Sequence, residues 1–489
     1  MTVLTQLHPS RLWAYFDQIC RIPHPSGHEA GLRQWIQMIA DSHRLTYETD
    51  LKGNLLVHKP ATERMEQCQP VILQAHLDMV PQATSSIQPF DFRHHTILPQ
   101  RDGDVIRATG TTLGADNGIG VAACLAVLTD PTLKHGPLEV LFTVEEEIGM
   151  GGAFAVTPEW LKGTILINTD TEQEGEIFIG CAGGAQAKLD FQTETEPCPP
   201  TYTTYSLELS GLRGGHSGLN IHEERGNAIL ILCRLLQELE ENYPLRLQTM
   251  TGGTVRNAIP SHASAIIALP EEEYPEVLRH LKALHQKIKS RYQLTDPYLE
   301  LRCIPADPVA AIFTLDTQHR IIDSLLALPD GMITMSPVLD NVVETSSNLG
   351  VLQHQGDTFS AIAFIRSLID QGRADVRGDM EKVAAEAGAQ LTYSGDYSGW
   401  APDPHSSIVK LVQQQYQRLF HRTPELKVIH AGLECGRFKQ VYPHWDIVSI
   451  GPTITGAHSP DECVEIATVQ KFWQLLTATL AAIPKIQAV

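Results

Sequence analysis

Three features of the sequence predict an α/β fold in which a mostly parallel central sheet is interrupted by a long insertion. Residues 71–75, 138–144, 164–168 and 445–450 are almost continuously apolar, as strands buried on both faces of a sheet are. Helical spacings alternate with them, the pattern of helices layered on a sheet. From about residue 186 to residue 397 the texture changes, opening on an alternation to residue 209 suited to a half-exposed antiparallel sheet, and afterwards the first texture returns.

The chain opens with a helical spacing over residues 5–20, ended by Pro23-His24-Pro25-Ser26-Gly27. Residues 31–39 read as a second amphipathic helix, and residues 55–57 and 71–75 as strands. A small-residue helix over 118–128 stops at Thr129-Asp130-Pro131, before the strands at 138–144 and 164–168. Alternation over 185–209, with helices at 227–241 and 275–292, makes one round of strand and helix. A second round follows at 333–338, 358–364 and 378–388, which predicts a lid built of two similar halves. A helix at 406–420, strands at 427–430 and 445–450 and a helix at 467–482 complete the chain. The expected organisation is a discontinuous three-layer domain, 1–185 and 398–489, holding an inserted α+β lid at 186–397, within the usual range of domain sizes.

With 489 residues the chain has ample length for sizeable cores. Lys and Arg total 37 against 57 Asp and Glu, a net charge of −20. That sign argues against a nucleic-acid binder or a polybasic membrane-surface protein. No apolar run approaches membrane-spanning length, and MTVLTQLHPSRLWAYF lacks a signal-peptide pattern. Nine Cys without a C-x-x-C pair do not make a disulfide framework, so a cytoplasmic protein is expected.

Five stretches place His and carboxylates at the ends of predicted buried strands or at a helix entrance, where α/β proteins gather ligand sites. VILQAHLDMV carries His76 and Asp78, which point the same way in extended chain. TTLGADNGIGVAA places Asp116 where a glycine-rich turn enters a helix, a position that an ordinary N-cap would also fill. LEVLFTVEEEIGMGGA sets Glu145, Glu146 and Glu147 directly after a strand; a solvated turn is one reading, a cation-holding pocket edge the other. TILINTDTEQEG supplies Asp170, and IGPTITGAHSPDECVEI supplies His458. Together these are the N/O donors suited to zinc, cobalt or manganese. Two such ions sharing a carboxylate form a clamp for hydrolysis.

HLDMVPQ, TTLGADNGIGVA, EEEIGMGGA, NTDTEQEGEIFIGCAGG, GGHSG, RNAIP and GAHSPDE occur in one order along nearly the whole chain. In these motifs the sequence resembles the di-zinc metallopeptidase family that includes carboxypeptidase G, peptidase T and peptidase V, and within it the bacterial aminoacylhistidine dipeptidase (carnosinase-like) branch. The resemblance implies a metal-dependent dipeptidase acting on unblocked dipeptides with a preference for C-terminal His. It implies two divalent ions, zinc first, held by His76, Asp116, Glu147, Asp170 and His458, with Asp116 bridging. Asp78 would orient His76, and Glu146 would be the general base on a bridging water. Shifting the motif by one residue would move the general-base role to Glu145 and the ligand role of Glu147 to Glu146. In the lid, His216 would donate to the oxyanion, and Asn257 and Arg366 would bind substrate. Glu434 and His430 would line the pocket. The partner expected is a small dipeptide, with neither nucleic acid nor membrane, and a lid long enough to serve its own chain in a monomer or a homodimer. Competing readings are other dipeptides or N-acyl amino acids at the same site, a non-catalytic metal-dependent binding protein, and a thiol hydrolase using Cys181 or Cys435.

Overall fold

Four of the apolar runs line up side by side in one direction. In the computed structural model, which describes residues 3–486, strands Leu138–Thr143, Val71–His76, Ile165–Asn168 and Asp446–Ser449 pair in parallel in that order. The first three are buried along their whole length, as strands covered by helices on both faces must be. Antiparallel strands Leu55–Lys59 and Thr46–Thr49 extend one side; Glu176–Cys181, antiparallel to Asp446–Ser449, and then Glu425–Ile429 extend the other, giving eight strands.

The crossover between Val71–His76 and Leu138–Thr143 includes helix Ala115–Thr129, every residue of which is buried. Its alanines and glycines let it sit close within the layers. The parallel strands all finish at one edge, with His76 opposite Thr143, Gln74 opposite Asn168, and Asn168 opposite Ser449. The residues just beyond those strand ends are therefore neighbours although they lie hundreds of positions apart in sequence.

The chain packs as two compact units. One comprises the chain up to Gly180, Trp400–Val428, and the segment from Leu433 onward; the other comprises Cys181–Gly399 and Ile429–Gly432. The second unit holds two βαββαβ halves. In one, strands Tyr202–Ser210, Arg246–Gly252, Ala263–Pro270 and Glu300–Pro305 alternate with helices Ala228–Glu240 and Tyr274–Arg291. In the other, strands Gly183–Gln192, Val343–Gln355, Thr358–Ser367 and Gln390–Tyr397 alternate with helices Leu315–Ala327 and Asp370–Ala387. Each half orders its strands fourth, first, third, second, and the halves meet where Gly252 pairs with Leu352.

The halves are nested rather than successive: the first lies between Gly183–Gln192 and helix Leu315–Ala327 of the second. Alternation identifies strands without saying which strand pairs with which, so the sequence reads as two consecutive rounds. One apolar core, including Leu189, Phe191, Leu236, Ile267 and Phe359, runs beneath both halves. Helix Asp370–Ala387 begins well before residue 378, because Gly372 and Gly378 read as breaks but are accommodated within it. Among the described residues no helix is long and apolar enough to cross a membrane.

Candidate functional site

The first unit brings His76, Asp116, Glu147, Asp170 and His458 together at the strand ends. His76 is 2 % exposed, and its Nδ1 lies 3.0 Å from the backbone carbonyl of Asp78. Donation there puts the proton on Nδ1 and leaves Nε2 as an electron-pair donor. Nε2 lies 3.1 Å from Asp116 Oδ1 and 3.2 Å from Asp170 Oδ1. His458 Nε2 lies 3.1 Å from Asp116 Oδ2 and 3.1 Å from Glu147 Oε2. Asp116 thus offers one oxygen to each imidazole.

These spacings fit metal ligation. Two donors about 2.0–2.1 Å from one tetrahedral ion stand about 3.3 Å apart. Single donor atoms of His76, Asp116 and Glu147 all lie within 4.8 Å of one another. Glu147 Oε1 is buried without a hydrogen-bond partner, and among the described residues the cluster's carboxylates form ion pairs with imidazoles alone. The field is strongly anionic: the Asp116 and Glu147 carboxylates push the His458 imidazole up to about 11. A site that draws a proton so strongly suits a cation, and the N/O donor set suits zinc, cobalt or manganese.

Asp78 holds the turn that follows Leu138–Thr143. Its Oδ1 accepts the Glu146 N–H at 2.9 Å, and its Oδ2 accepts the Glu147 N–H at 3.1 Å and the Ser26 hydroxyl at 2.8 Å. Its carboxylate stands 3.6 Å from His76 Nδ1, farther than the carbonyl of the same residue. Within the triplet, Glu145 turns away, with φ +55 and an ion pair to Lys52 at 2.5 Å. Glu147 faces His458. Burial, and then the Asp170, Glu147 and Glu434 carboxylates against the pull of His76, hold the Glu146 carboxyl well above its ordinary pKa.

Glu434 opens helix Glu434–Val441 and is 1 % exposed. Its Oε2 accepts Gln74 Nε2 at 2.6 Å and the Thr143 hydroxyl at 2.8 Å. It is bound into the sheet beneath the strand ends. Cys181 and Cys435 are both 0 % exposed, an inert setting for a thiol.

The second unit gathers another set. Strand Gly215–His216 pairs with Ala258–Ile259, and the Ser217 N–H donates to the Asn257 carbonyl at 2.8 Å. Asn348 Nδ2 donates to the carbonyls of Arg256 and Ala258, fixing the loop that carries the exposed Asn257. His216 Nδ1 accepts the N–H groups of Gly218 and Leu219 at 3.2 and 3.1 Å. Since Nδ1 accepts, the neutral ring carries its proton on Nε2. Gly218 is required here, because a Cβ would stand 2.1 Å from the His430 carbonyl oxygen.

Arg366 is 4 % exposed, in strand Thr358–Ser367, with Nη2 3.3 Å from His216 Nε2. Both atoms are donors in this tautomer, so they flank a place for an acceptor. The guanidinium lies 4.7 Å from the Phe364 ring centroid, and its Nε has no hydrogen-bond partner. The Tyr397 phenol hydrogen-bonds it, and among the described residues no carboxylate pairs with it. Burial and Arg366 lower His216 to about 4 and His430 to about 3, keeping both rings neutral; His430 Nε2 meets the Ser346 hydroxyl at 2.8 Å.

Sequence reading passes over Gln74, Asn117, Glu172 and Glu462. A lone Gln inside the apolar run VILQAH is a visible signal for the first. Asn117 donates through Nδ2 to Asp170 Oδ1. Glu172, two residues beyond Asp170, is pushed up to about 8 by burial and by the Asp116 and Asp170 carboxylates. Glu462 closes the GAHSPDE motif, which gives it no role of its own beyond its nearness to His458.

Comparison with known proteins places this arrangement. The model of peptidase family M20/M25/M40 matches residues 72–482. The chain belongs to that family. This M20 metallopeptidase is 47 % identical over 487 residues to the cytosol non-specific dipeptidase of Escherichia coli (strain K12), covering 99 % of the chain and 100 % of that protein. The crystal structure of aminoacylhistidine dipeptidase from Vibrio alginolyticus matches with a TM-score of 0.92 at 44 % identity, over 99 % of each chain. Aminopeptidase PepT from Bacillus cereus shares the fold, at a TM-score of 0.55 and 16 % identity over 98 % of this chain and 99 % of its own.

Proposed function

We propose that the chain hydrolyses unblocked dipeptides, His at the C-terminal position being preferred, at a centre of two divalent ions. Arg366 carries the reading as to substrate. A buried guanidinium without an acidic partner is costly to maintain unless a carboxylate arrives to meet it, and a dipeptide brings one at its C-terminus, two bonds beyond the scissile carbonyl's nitrogen. The names of the E. coli and Vibrio relatives support dipeptides as substrates. The Vibrio protein's name supports the His preference, and the E. coli protein's name supports a broader range and a cytosolic location.

His76, Asp116 and Asp170 would hold one ion, and Asp116, Glu147 and His458 the other; zinc, or cobalt or manganese in its place, would polarise the carbonyl and lower the pKa of water towards about 7. Asp78 positions the Glu146–Glu147 turn through two N–H groups. Glu146 then takes a proton from the attacking water and delivers it to the departing amine. His216, donating from Nε2, stabilises the oxyanion. Arg366 binds the terminal carboxylate, and Asn257 the substrate backbone. In this reading the second unit is the substrate lid, and one chain carries a complete set of groups.

A panel of β-alanyl-histidine, leucyl-glycine and N-acetyl amino acids tests the proposal. Both dipeptides should be cleaved, the His-bearing one with the higher kcat/KM, and the acylated compounds spared. Preferential cleavage of the N-acetyl compounds would overturn it. Equal rates on both dipeptides would favour the broader specificity.

A further inference from the structure

Glu462 lies four residues beyond His458 and is 2 % exposed. Its Oε2 accepts the N–H groups of Leu113 and Gly114 at 2.7 and 2.9 Å. Its Oε1 accepts those of Ala115 and Asp116 at 2.7 and 3.2 Å. Four successive N–H groups of one turn therefore converge on a single carboxylate, the last belonging to Asp116 itself. The turn can present them on one side because Gly114 adopts φ +72, a left-handed conformation open to glycine.

Pairing of Ile454–Thr455 with Cys463–Val464 closes the base of the His458 loop, and the Thr112 N–H donates to the Gln82 carbonyl before the Asp116 turn, but neither bond joins the two loops to each other. Strand Cys463–Glu465 pairs with Val105–Ala108, but the ladder stops at Cys463 and Arg107. Beyond that pair one chain runs to the Asp116 turn and the other back through Glu462 to His458. The His458 side chain is 52 % exposed, and its backbone holds φ +64, uncommon for a residue with a side chain. The loop's own bonds, Ser459 N–H to Gly456 and Glu462 N–H to Ser459, are internal to it. The Glu462 carboxylate ties this loop to the turn that carries Asp116.

We propose that Glu462 is a positioning residue: by clamping the His458 loop to the Leu113–Gly114–Ala115–Asp116 turn, it sets the place of the Asp116 carboxylate between His76 and His458. This inference rests on the two-metal reading above. All four bonds need an acceptor. Glu462→Gln preserves shape and removes a charge, but its Nε2 can only donate, so two of the four N–H groups lose their partner.

Metal-free full-length protein, titrated with cobalt(II) and followed by calorimetry and visible absorption, tests the proposal, with thermal unfolding of each metal-free variant measured alongside. Glu462→Gln should bind at least one cobalt ion about 10- to 100-fold more weakly than the native chain and show an altered visible spectrum at saturation. Native-like affinity and spectrum for both ions would overturn the proposal even if the melting temperature fell, because a purely structural role moves only the latter. Should Glu462→Gln fail to fold, Glu462→Asp keeps both acceptors on a shorter stem. Weakened cobalt binding with a changed spectrum supports the clamp in that variant, and native-like binding overturns it. Uptake of fewer than two cobalt ions by the native chain would instead overturn the two-metal reading itself.

Discussion

Replacing Glu146 by Gln should lower kcat by about 10²–10⁴-fold, the range for loss of a positioned general base, while metal content stays at the native level and KM changes little. The amide fills the same space and leaves the backbone N–H bond to Asp78 in place. Among the described residues no imidazole or ligand oxygen of the proposed metal set makes a hydrogen bond or ion pair with the Glu146 side chain, so the substitution removes the proton acceptor and little else. Glu145→Gln is the matched control. Its carboxylate pairs with Lys52 at the surface, a kind of pair that contributes about 0–1 kcal/mol to stability, so its kcat should remain close to native. Full activity in Glu146→Gln, or a large loss in Glu145→Gln, would move the base out of this position. Metal analysis of each variant separates loss of the base from loss of ions.

Arg366→Met should lower kcat/KM on an unblocked dipeptide by about 10- to 150-fold, corresponding to about 1.5–3 kcal/mol for hydrogen bonds to a charged group. The same substitution should leave the slower cleavage of the C-terminally amidated dipeptide nearly unchanged. This contrast isolates the carboxylate. Arg366 also packs on Phe364 and adjoins His216, so a purely structural contribution would depress both substrates alike. Met retains apolar contact with the ring while removing every donor, and Arg366→Lys retains charge without the two-pronged fork. An equal loss on both substrates would contradict the proposed role of Arg366.

The residues that show where sequence suffices are those on the central sheet. VILQAH, LEVLFTV and TILIN are apolar on consecutive positions, and burial on both faces leaves few alternatives to a parallel strand with helices above and below. Once those strands run in one direction, His76, Glu147, Asp170 and His458 must emerge at a common edge. Local pattern does not, however, contain the pairing order, and so it does not contain the distances between Asp116 and the two imidazoles. The nesting of the second unit was hidden for the same reason: the partner of Gly183–Gln192 is Thr358–Ser367, across an intervening half. Helix Glu434–Val441 was hidden by its shortness and by Gly436. Asp78 shows a subtler difference, since spacing suggests a carboxylate behind an imidazole. In the fold the backbone carbonyl stands nearest His76 Nδ1, the carboxylate lies beside it at 3.6 Å, and the same carboxylate organises the Glu146–Glu147 turn. Glu462 is the extreme case, because nothing in its own side chain distinguishes it from a surface acid; its four N–H partners lie nearly 350 positions earlier.

The central claim is that Asp116 joins two cations held at these strand ends. Metal content of the purified chain, set against Asp116→Ala after both are equilibrated with zinc and freed of excess, measures it directly. The native chain should hold two ions, and removing the shared carboxylate should lose the pair. A native chain that retains one ion or none, or an Asp116→Ala chain that still holds two, would contradict it.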